Sequence, residues 1–327
     1  MKPALRQVAL RLLRSITLVV GVANLAFVLA RTLPGDPVRM LVGPQASAAD
    51  VATARAIYGL DQPLHIQCAR FWQRLIHAPK SGAEHKSCSA VGPVHVDLGY
   101  SHRSRKGVAA LVAAKAPLSA KLALAATLLQ LVIGLGVGTF AAHRRGRFAD
   151  QATIAATMLV VSAPTFVLGV GLQYVLAHRL GWLPLDGAAG DLRALALPAL
   201  TLGLYGSALY ARLAREELGR ALDSDFARSA RARGASRLRV LFVHAWRNAL
   251  GSLTTLFVLE FGALVGGAIV TEKLFRWPGL GALTVDAVVN RDAPVLFGTV
   301  IVAAVAVAVA SFVLDALQVA LDPRLRK

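Results

Sequence analysis

Six long apolar runs alternate with polar segments along the chain. Each run comes close to the roughly 20 apolar residues that a helix needs to cross a bilayer. This pattern predicts an all-α polytopic membrane protein with six transmembrane helices. The predicted spans are 12–30, 117–143, 149–178, 194–213, 249–270 and 294–321.

The polar segments divide the chain into three parts. Residues 1–30 hold a polar start and the first span, residues 31–115 form a long polar segment, and residues 116–327 hold the other spans. Within the long segment, apolar residues at helical spacing predict two short amphipathic helices, at 49–58 and 64–77.

Lys and Arg concentrate in segments that would share one side of the membrane. Short loops rich in these residues stay in the cytoplasm, whereas long loops translocate largely regardless of charge. Both termini are therefore predicted to be cytoplasmic, and 31–115 to be external. The basic segments on the cytoplasmic side are 1–14, 144–147, a charged loop at about 214–248, and 324–327.

The first apolar run also has a second interpretation. Basic residues precede it, and Val28, Leu29 and Ala30 resemble a small-residue cleavage site, so the run could instead be a signal peptide. Cleavage would leave five spans.

Composition supports the membrane interpretation. Hydrophobic residues make up 56% of the 327 positions and charged residues 17%, whereas soluble domains carry about a quarter charged residues. The mean hydropathy is +0.57. The net charge of +18 does not indicate a nucleic-acid partner, because the basic residues flank apolar runs and no RNA-reading aromatic motif is present.

Motifs for catalysis and for metal binding are absent from the sequence. No G-x-x-x-x-G-K-[ST] loop is present, so the chain is not expected to hydrolyse ATP. The histidines and cysteines of the long polar segment match no standard zinc spacing, and no metal site is predicted. Cys68 and Cys88 would allow one disulfide if that segment is external.

The charged loop predicts a helix, a sharp corner and a second helix. Ser224 or Asp225 can cap a helix over 225–233, Gly234 suits the left-handed residue that ends it, and Ser236 can cap the next helix. A rigid corner of this kind could press on a partner and move the spans, or it could rest on anionic headgroups. Physics alone favours neither.

The segment ARSARARGASRLRVLFVHAWRNAL at 227–250 resembles the cytoplasmic EAA loop of ATP-binding-cassette (ABC) importer permeases, in the branch for dipeptides, oligopeptides and nickel. Gly234 takes the place of the motif's glycine, and Arg228, Ser229 and Ala230 take the E-A-A places. The glutamate and the first alanine are thus missing, as is the later Leu-Pro. Other stretches resemble the branch in the expected order: LPGDPV at 33–38, YGLDQPLHIQ at 58–67, DLGYS at 97–101, TEKLFRWPGLG at 271–281 and NRDAPV at 290–295.

This resemblance implies one membrane subunit of a larger importer. Its partners would be a homologous second permease, two cytoplasmic ATPases, an extracytoplasmic binding protein and membrane lipid, in the bacterial inner membrane. The chain itself would be neither an enzyme nor a cofactor binder, since the ATPases hold ATP and Mg. The implied ATPase-coupling residues are Arg228, Ser229, Ala230, Arg231, Gly234 and Ala235.

The resemblance favours di- or oligopeptides as cargo, with nickel or a metal chelate as the alternative. A stand-alone channel or secondary transporter is an alternative of another class, but no internal repeat of the kind common in secondary transporters is visible. Ionisable residues inside spans are expensive, so Glu260 and Asp315 are candidates for the substrate pathway. For Glu260 the alternative is a protonated or hydrogen-bonded residue of helix packing. Asp315 matches an acidic residue of the family, and helix packing is the role we favour for it.

Overall fold

The computed structural model describes residues 3–32, 42, 45–57, 59–77, 88–91, 94–101 and 103–321. The described chain is mainly helical, as predicted, with one small sheet. It divides into two compact units. One comprises Met1–Ser15, Pro117–Ala282 and Ala306–Lys327, and the other comprises Ile16–Ala116 and Leu283–Val305.

Before the second predicted span, the described residues form three helices and a three-stranded antiparallel sheet with strand order β1-β3-β2. Ile76 pairs with Val96, and Cys88 pairs with Asp97. The two short helices predicted in the long polar segment are both present. The elements are α1 (Pro3–Thr32), α2 (Ala48–Ile57), α3 (Leu64–Leu75), β1 (Ile76–His77), β2 (Cys88–Val91) and β3 (Val94–Asp97).

Helices follow along the rest of the chain, and two of them continue into π-helical turns, at Gln173–Arg179 and Val240–Ala245. The helices are α4 (Val108–His143), α5 (Phe148–Ser162), α6 (Thr165–Leu172), α7 (Leu192–Asp223), α8 (Asp225–Ala232), α9 (Arg237–Arg239), α10 (Trp246–Val265), α11 (Ile269–Leu274), α12 (Leu280–Val289) and α13 (Ala293–Leu321).

Three described helices are long and apolar enough to cross a membrane, and a bent pair would make a fourth. The first and fifth predicted spans contain shorter apolar helices, Leu12–Val28 and Ala249–Val265. The prediction of membrane-spanning helices is confirmed, while the count of six stays a prediction. The three long helices are Val108–His143, Leu192–Asp223 and Ala293–Leu314.

The third predicted span is not continuous. Helices α5 and α6, the latter with its π-helical turn, meet at an angle of 97° across Ala163 and Pro164. Ala163 has an extended backbone (φ −85°, ψ 137°), because a proline disfavours helical geometry in the residue before it. The prediction of a span over 149–178 did not include this break at Pro164.

Close backbone contact joins α4 and α7. A Cβ added at Gly138 would lie 2.5 Å from the carbonyl oxygen of Ala211, and one added at Gly134 would lie 2.6 Å from that of Ser207. Gly262 likewise has no room for a Cβ, since one would collide with Ala310. The glycines at these positions therefore allow the helix backbones to approach closely.

A buried carboxylate organises the start of α12. Glu272 is fully buried, and it accepts hydrogen bonds from the Ser119 hydroxyl at 2.7 Å and from the Ala282 N–H at 2.9 Å. Ser119 in turn accepts from the Leu280 N–H at 2.7 Å. The carboxylate and the hydroxyl thus satisfy amides of the first turn of α12, which have no partner within the helix.

The other unit has an aromatic core. The Phe71 ring of α3 lies 5.5 Å from that of Phe27 and 5.6 Å from that of Phe297. Beside this cluster, Asn24 Oδ1 accepts a hydrogen bond from Trp72 Nε1 at 3.1 Å. The apolar face predicted for α3 is therefore its packing face.

Candidate coupling site

The charged loop forms a short helix, α8, directly after α7. Ser224 separates the two with an extended backbone (φ −71°, ψ 160°). Its hydroxyl donates to the Ala221 carbonyl at 2.6 Å rather than capping α8. Asp225 lies in the first turn of α8, where a negative charge suits the helix dipole.

The corner after α8 is a Schellman motif. Gly234 has φ +87°, its N–H donates to the Arg231 carbonyl at 2.9 Å, and the Ala235 N–H donates to the Ala230 carbonyl at 3.1 Å. These are the two bonds that close a helix whose next residue is left-handed. The Ser236 hydroxyl then accepts from the Arg239 N–H at 3.3 Å. The predicted corner at Gly234 and the cap at Ser236 are confirmed.

One face of α8 is anchored in the apolar core. Ala227 and Ala230 are 0% and 4% exposed, and they pack in one cluster with residues of α7 and α10 and of the π-helical turn between α9 and α10. Of the two alanines, only Ala230 belongs to the predicted coupling set. The cluster consists of Ala142, Tyr210, Ala214, Leu218, Ala221, Leu222, Ala227, Ala230, Val240, Leu241, Ala245, Ala249 and Leu253.

The opposite face of α8 is exposed and basic. Arg228, Ser229 and Arg233 are exposed, and the Arg228 side chain lies 3.6 Å from Asp225 with 71% of its surface accessible. Arg231 is also exposed, but its guanidinium donates to the Leu222 carbonyl near the end of α7 at 3.1 Å. Buried alanines thus hold a small helix in place, and the opposite face of that helix presents cations to solvent.

The residue ranges covered by family models include this whole site. A model described as "Binding-protein-dependent transport system inner membrane component" matches residues 134–327. A companion model for the N-terminal part of such membrane components matches residues 4–123. The chain belongs to this family of permeases.

Relatives along nearly the full length place the permease among ABC importers. It is 36% identical over 322 residues to the glutathione transport system permease protein GsiC of Salmonella typhimurium (strain LT2), covering 98% of this chain and 99% of that one. GsiC of Escherichia coli (strain K12) is equally similar, at 36% identity over the same length. The stand-alone channel or secondary transporter considered from the sequence is thereby excluded.

Solved structures share the fold. An inward-facing form of the MetNI methionine ABC transporter superposes with a TM-score of 0.57 at 19% identity, covering 65% of this permease and 96% of that chain. At this identity the likeness shows the fold alone. The all-α membrane architecture of ABC importer permeases is thus confirmed.

The permease has an ion pair close to α8 that the sequence did not reveal. Arg215 of α7 pairs with Asp150 of α5, whose side chain is 2% exposed. Asp150 also accepts from the Gly146 N–H at 3.0 Å, and Arg145 of the same turn pairs with Asp223 at 2.7 Å. An unpaired carboxylate at the start of an apolar run costs free energy. The position of Asp150 in the sequence could therefore have predicted that it has a partner.

The remaining predicted site residues are separate from α8. Glu260 is half-buried on α10. Asp315 lies on α13, and its side chain is outside the described residues. Among the described residues, no group of three or more His, Cys, Asp or Glu is placed to hold a metal ion.

The cysteine pair is not bridged in the structure. Cys68 is a free thiol and donates to Asn24 Oδ1 at 3.3 Å, which turns it towards α1. The side chain of Cys88 lies outside the described residues. Cys68 forms no disulfide in the structure, and its pairing with Cys88 stays a prediction.

Proposed function

We propose that α8 is the coupling helix through which a cytoplasmic ATPase drives this permease. The observation that carries the proposal is the anchored helix itself, with Ala227 and Ala230 buried and Arg228, Ser229 and Arg233 exposed. A partner that pushes on the exposed face must displace α7 and α10 as well, because the buried face packs against both.

The charged loop faces the cytoplasm in this proposal, and both termini lie on the same side. The positive-inside rule supports this orientation, since α8 and the turn at 144–147 are rich in arginine. The long segment at 31–115 then lies on the external side. The membrane we infer is the bacterial inner membrane, since the family's description names an inner membrane component.

The complete importer contains this chain, a homologous second permease, two ATPases and an extracytoplasmic binding protein. The sequence has no phosphate-binding loop, so ATP and Mg would be bound by the ATPases, and this subunit would be neither catalytic nor cofactor-binding. Closure of the ATPases would move α8 and tilt the spans between inward-facing and outward-facing arrangements.

The substrate we infer is a short peptide. The relatives at 36% identity are glutathione permeases, and glutathione is itself a tripeptide. Glu260 is the candidate pathway residue, because a half-buried carboxylate inside an apolar helix would favour the amino group of a peptide. Asp315 is assigned to helix packing.

Reconstitution tests the proposal. The permease is purified with its sister subunit and ATPases, placed in proteoliposomes with the binding protein, and assayed with labelled glutathione, a dipeptide and Ni²⁺. We expect peptide uptake only with ATP. Uptake by the permease alone would overturn the coupling role, and uptake of Ni²⁺ without peptide would overturn the substrate class.

A tag inserted next to Ser229 tests the orientation. In sealed spheroplasts it should be protected from an added protease and become accessible only after lysis. Cleavage in intact spheroplasts would place α8 on the wrong side of the membrane for an ATPase.

A further inference from the structure

A compact basic turn precedes α4. Tyr100 pairs with Gly107, and inside this bridge the Ser101 N–H donates to the Lys106 carbonyl at 2.9 Å. The Arg105 N–H donates to the Ser101 carbonyl at 3.1 Å, and Arg105 itself has φ +50°. A non-glycine residue in this region is uncommon, so the surrounding bonds hold the turn in one conformation.

A buried carboxylate fixes this turn. Asp292 is 5% exposed and lies immediately before α13. Its Oδ2 accepts from the Ser101 hydroxyl at 2.6 Å and from the Arg103 N–H at 3.4 Å. The Arg103 guanidinium also donates to Asn290 Oδ1. These hydrogen bonds join the basic turn and the start of α13 into one piece.

Four exposed side chains of this piece are cationic. Arg103, Arg105, Lys106 and Arg291 are all exposed, whereas Asp292 is buried. Among the described residues, no Asp or Glu forms an ion pair with these four side chains. Such a cluster produces a positive potential that attracts an anionic partner.

We propose that this basic turn, formed by Arg103, Arg105 and Lys106 with Arg291 beside it, docks an acidic patch on the extracytoplasmic binding protein. The inference rests on the proposed function, which places these residues outside. A protein partner fits better than lipid, because anionic headgroups need no defined arrangement of cations, whereas here Asp292 fixes the backbone of the turn and Asn290 holds the Arg103 guanidinium. A preformed surface lowers the ordering cost of specific docking.

The test uses the assembled importer in nanodiscs of zwitterionic phosphatidylcholine. The variant Arg105→Glu/Lys106→Glu reverses two charges whose side chains make no hydrogen bond to the described part of the chain. The measurement is the concentration of binding protein that half-maximally stimulates ATP hydrolysis, at low and high salt. We expect that concentration to rise about tenfold at low salt and to lose most of its salt dependence, with the maximal rate unchanged.

Two controls accompany this variant. Arg105→Lys/Lys106→Arg keeps the charges and should behave like wild type, as should Arg193→Glu, a reversal at an exposed site elsewhere. An unchanged half-maximal concentration in the double-Glu variant would overturn docking. So would a defect that appears only in nanodiscs with anionic lipid, or a change confined to the dependence on substrate concentration. If no binding protein stimulates the wild-type importer, the proposed function itself fails.

Discussion

Arg215 donates hydrogen bonds from Nε and Nη2 to the two carboxylate oxygens of Asp150, at 2.6 and 2.8 Å. This bidentate pair joins the first turn of α5 to α7, the helix that leads directly into α8. Bidentate charged pairs are strong and geometrically specific. A displacement of α8 would therefore move the start of α5 together with α7.

Removal of the Asp150 charge should destabilise the permease strongly. In Asp150→Asn, the largely buried guanidinium of Arg215 keeps its charge but faces a neutral partner. Breaking a buried ion pair in this way costs about 3 kcal/mol or more of folding free energy. We expect a clear fall in the unfolding temperature of the purified permease, partly restored in Asp150→Asn/Arg215→Gln.

The neighbouring pair of Arg145 and Asp223 is the matched control, because it joins the turn just before α5 to the end of α7. Its side chains are 47% and 73% exposed, so Asp223→Asn should cost less than about 1 kcal/mol. Equal effects of Asp150→Asn and Asp223→Asn would contradict the assignment of the buried pair as the principal connection.

Gly234 should tolerate neither alanine nor valine without loss of coupling. Its φ of +87° costs a residue with a Cβ about 1–2 kcal/mol, and a β-branched side chain more. Open space surrounds the site, since a Cβ would meet nothing within 4 Å, so the penalty comes from the backbone alone. In Gly234→Val, we expect ATP hydrolysis to continue while ATP-driven uptake falls sharply.

Gly251 of α10 is the control for Gly234. It has helical geometry and equally open surroundings, so Gly251→Ala should leave uptake unchanged and stabilise slightly, by about 0.5–1 kcal/mol. Wild-type uptake in Gly234→Val would show that the corner does not transmit force.

Local chemistry explains which features the sequence could reveal. The corner at Gly234 was predictable because a left-handed helix end depends on one glycine and its immediate neighbours. The short helices of the long segment were predictable from their apolar spacing. Pro164 was equally visible, but the apolar run around it dominated the prediction, and the 97° bend was missed.

Long-range pairs explain what the sequence could not reveal. Asp150 and Arg215 are 65 positions apart, and Ser101 and Asp292 are 191 apart. The sequence around each of these residues does not indicate which distant residue is its partner. The sequence can show that a charge in an apolar environment would cost free energy without a partner, whereas the identity of the partner depends on how the helices pack.

Gly138 should be intolerant of a single added methyl group. A Cβ there would lie 2.5 Å from the Ala211 carbonyl and 2.8 Å from Ala214 Cβ, so α4 and α7 would have to separate. Overpacking of this kind costs about 1–3 kcal/mol. Gly138→Ala should lower the unfolding temperature of the purified permease.

Gly136 lies on the same helix, and a Cβ there would meet nothing within 4 Å. Gly136→Ala should therefore be neutral or stabilising, since alanine favours helix over glycine by about 1 kcal/mol. If both alanine variants melt alike, the close contact between α4 and α7 is not a stability determinant.

Glu272 should make the stability of the permease fall as pH rises. Burial raises the pKa of Glu272 above its ordinary value of 4.5, and hydrogen bonds from Ser119, Ala282 and Gly281 oppose that rise. Because the folded-state pKa is the higher one, the folded state binds more protons than the unfolded state between the two values. The contribution of this group is therefore complete below the unfolded pKa and is lost as pH rises through the folded pKa.

Glu272→Gln isolates this contribution, because glutamine keeps the shape and can still accept from the amides of α12 but does not ionise. Unfolding temperatures measured between about pH 4 and pH 8 should fall more steeply with pH in the wild type than in Glu272→Gln. Glu272→Ala should be less stable at every pH, since it leaves donors of Ser119 and of the first turn of α12 without a partner, at about 1–3 kcal/mol for each. Parallel pH profiles for wild type and Glu272→Gln would mean that the pKa of Glu272 is the same in the folded and unfolded states, with its hydrogen bonds offsetting the effect of burial.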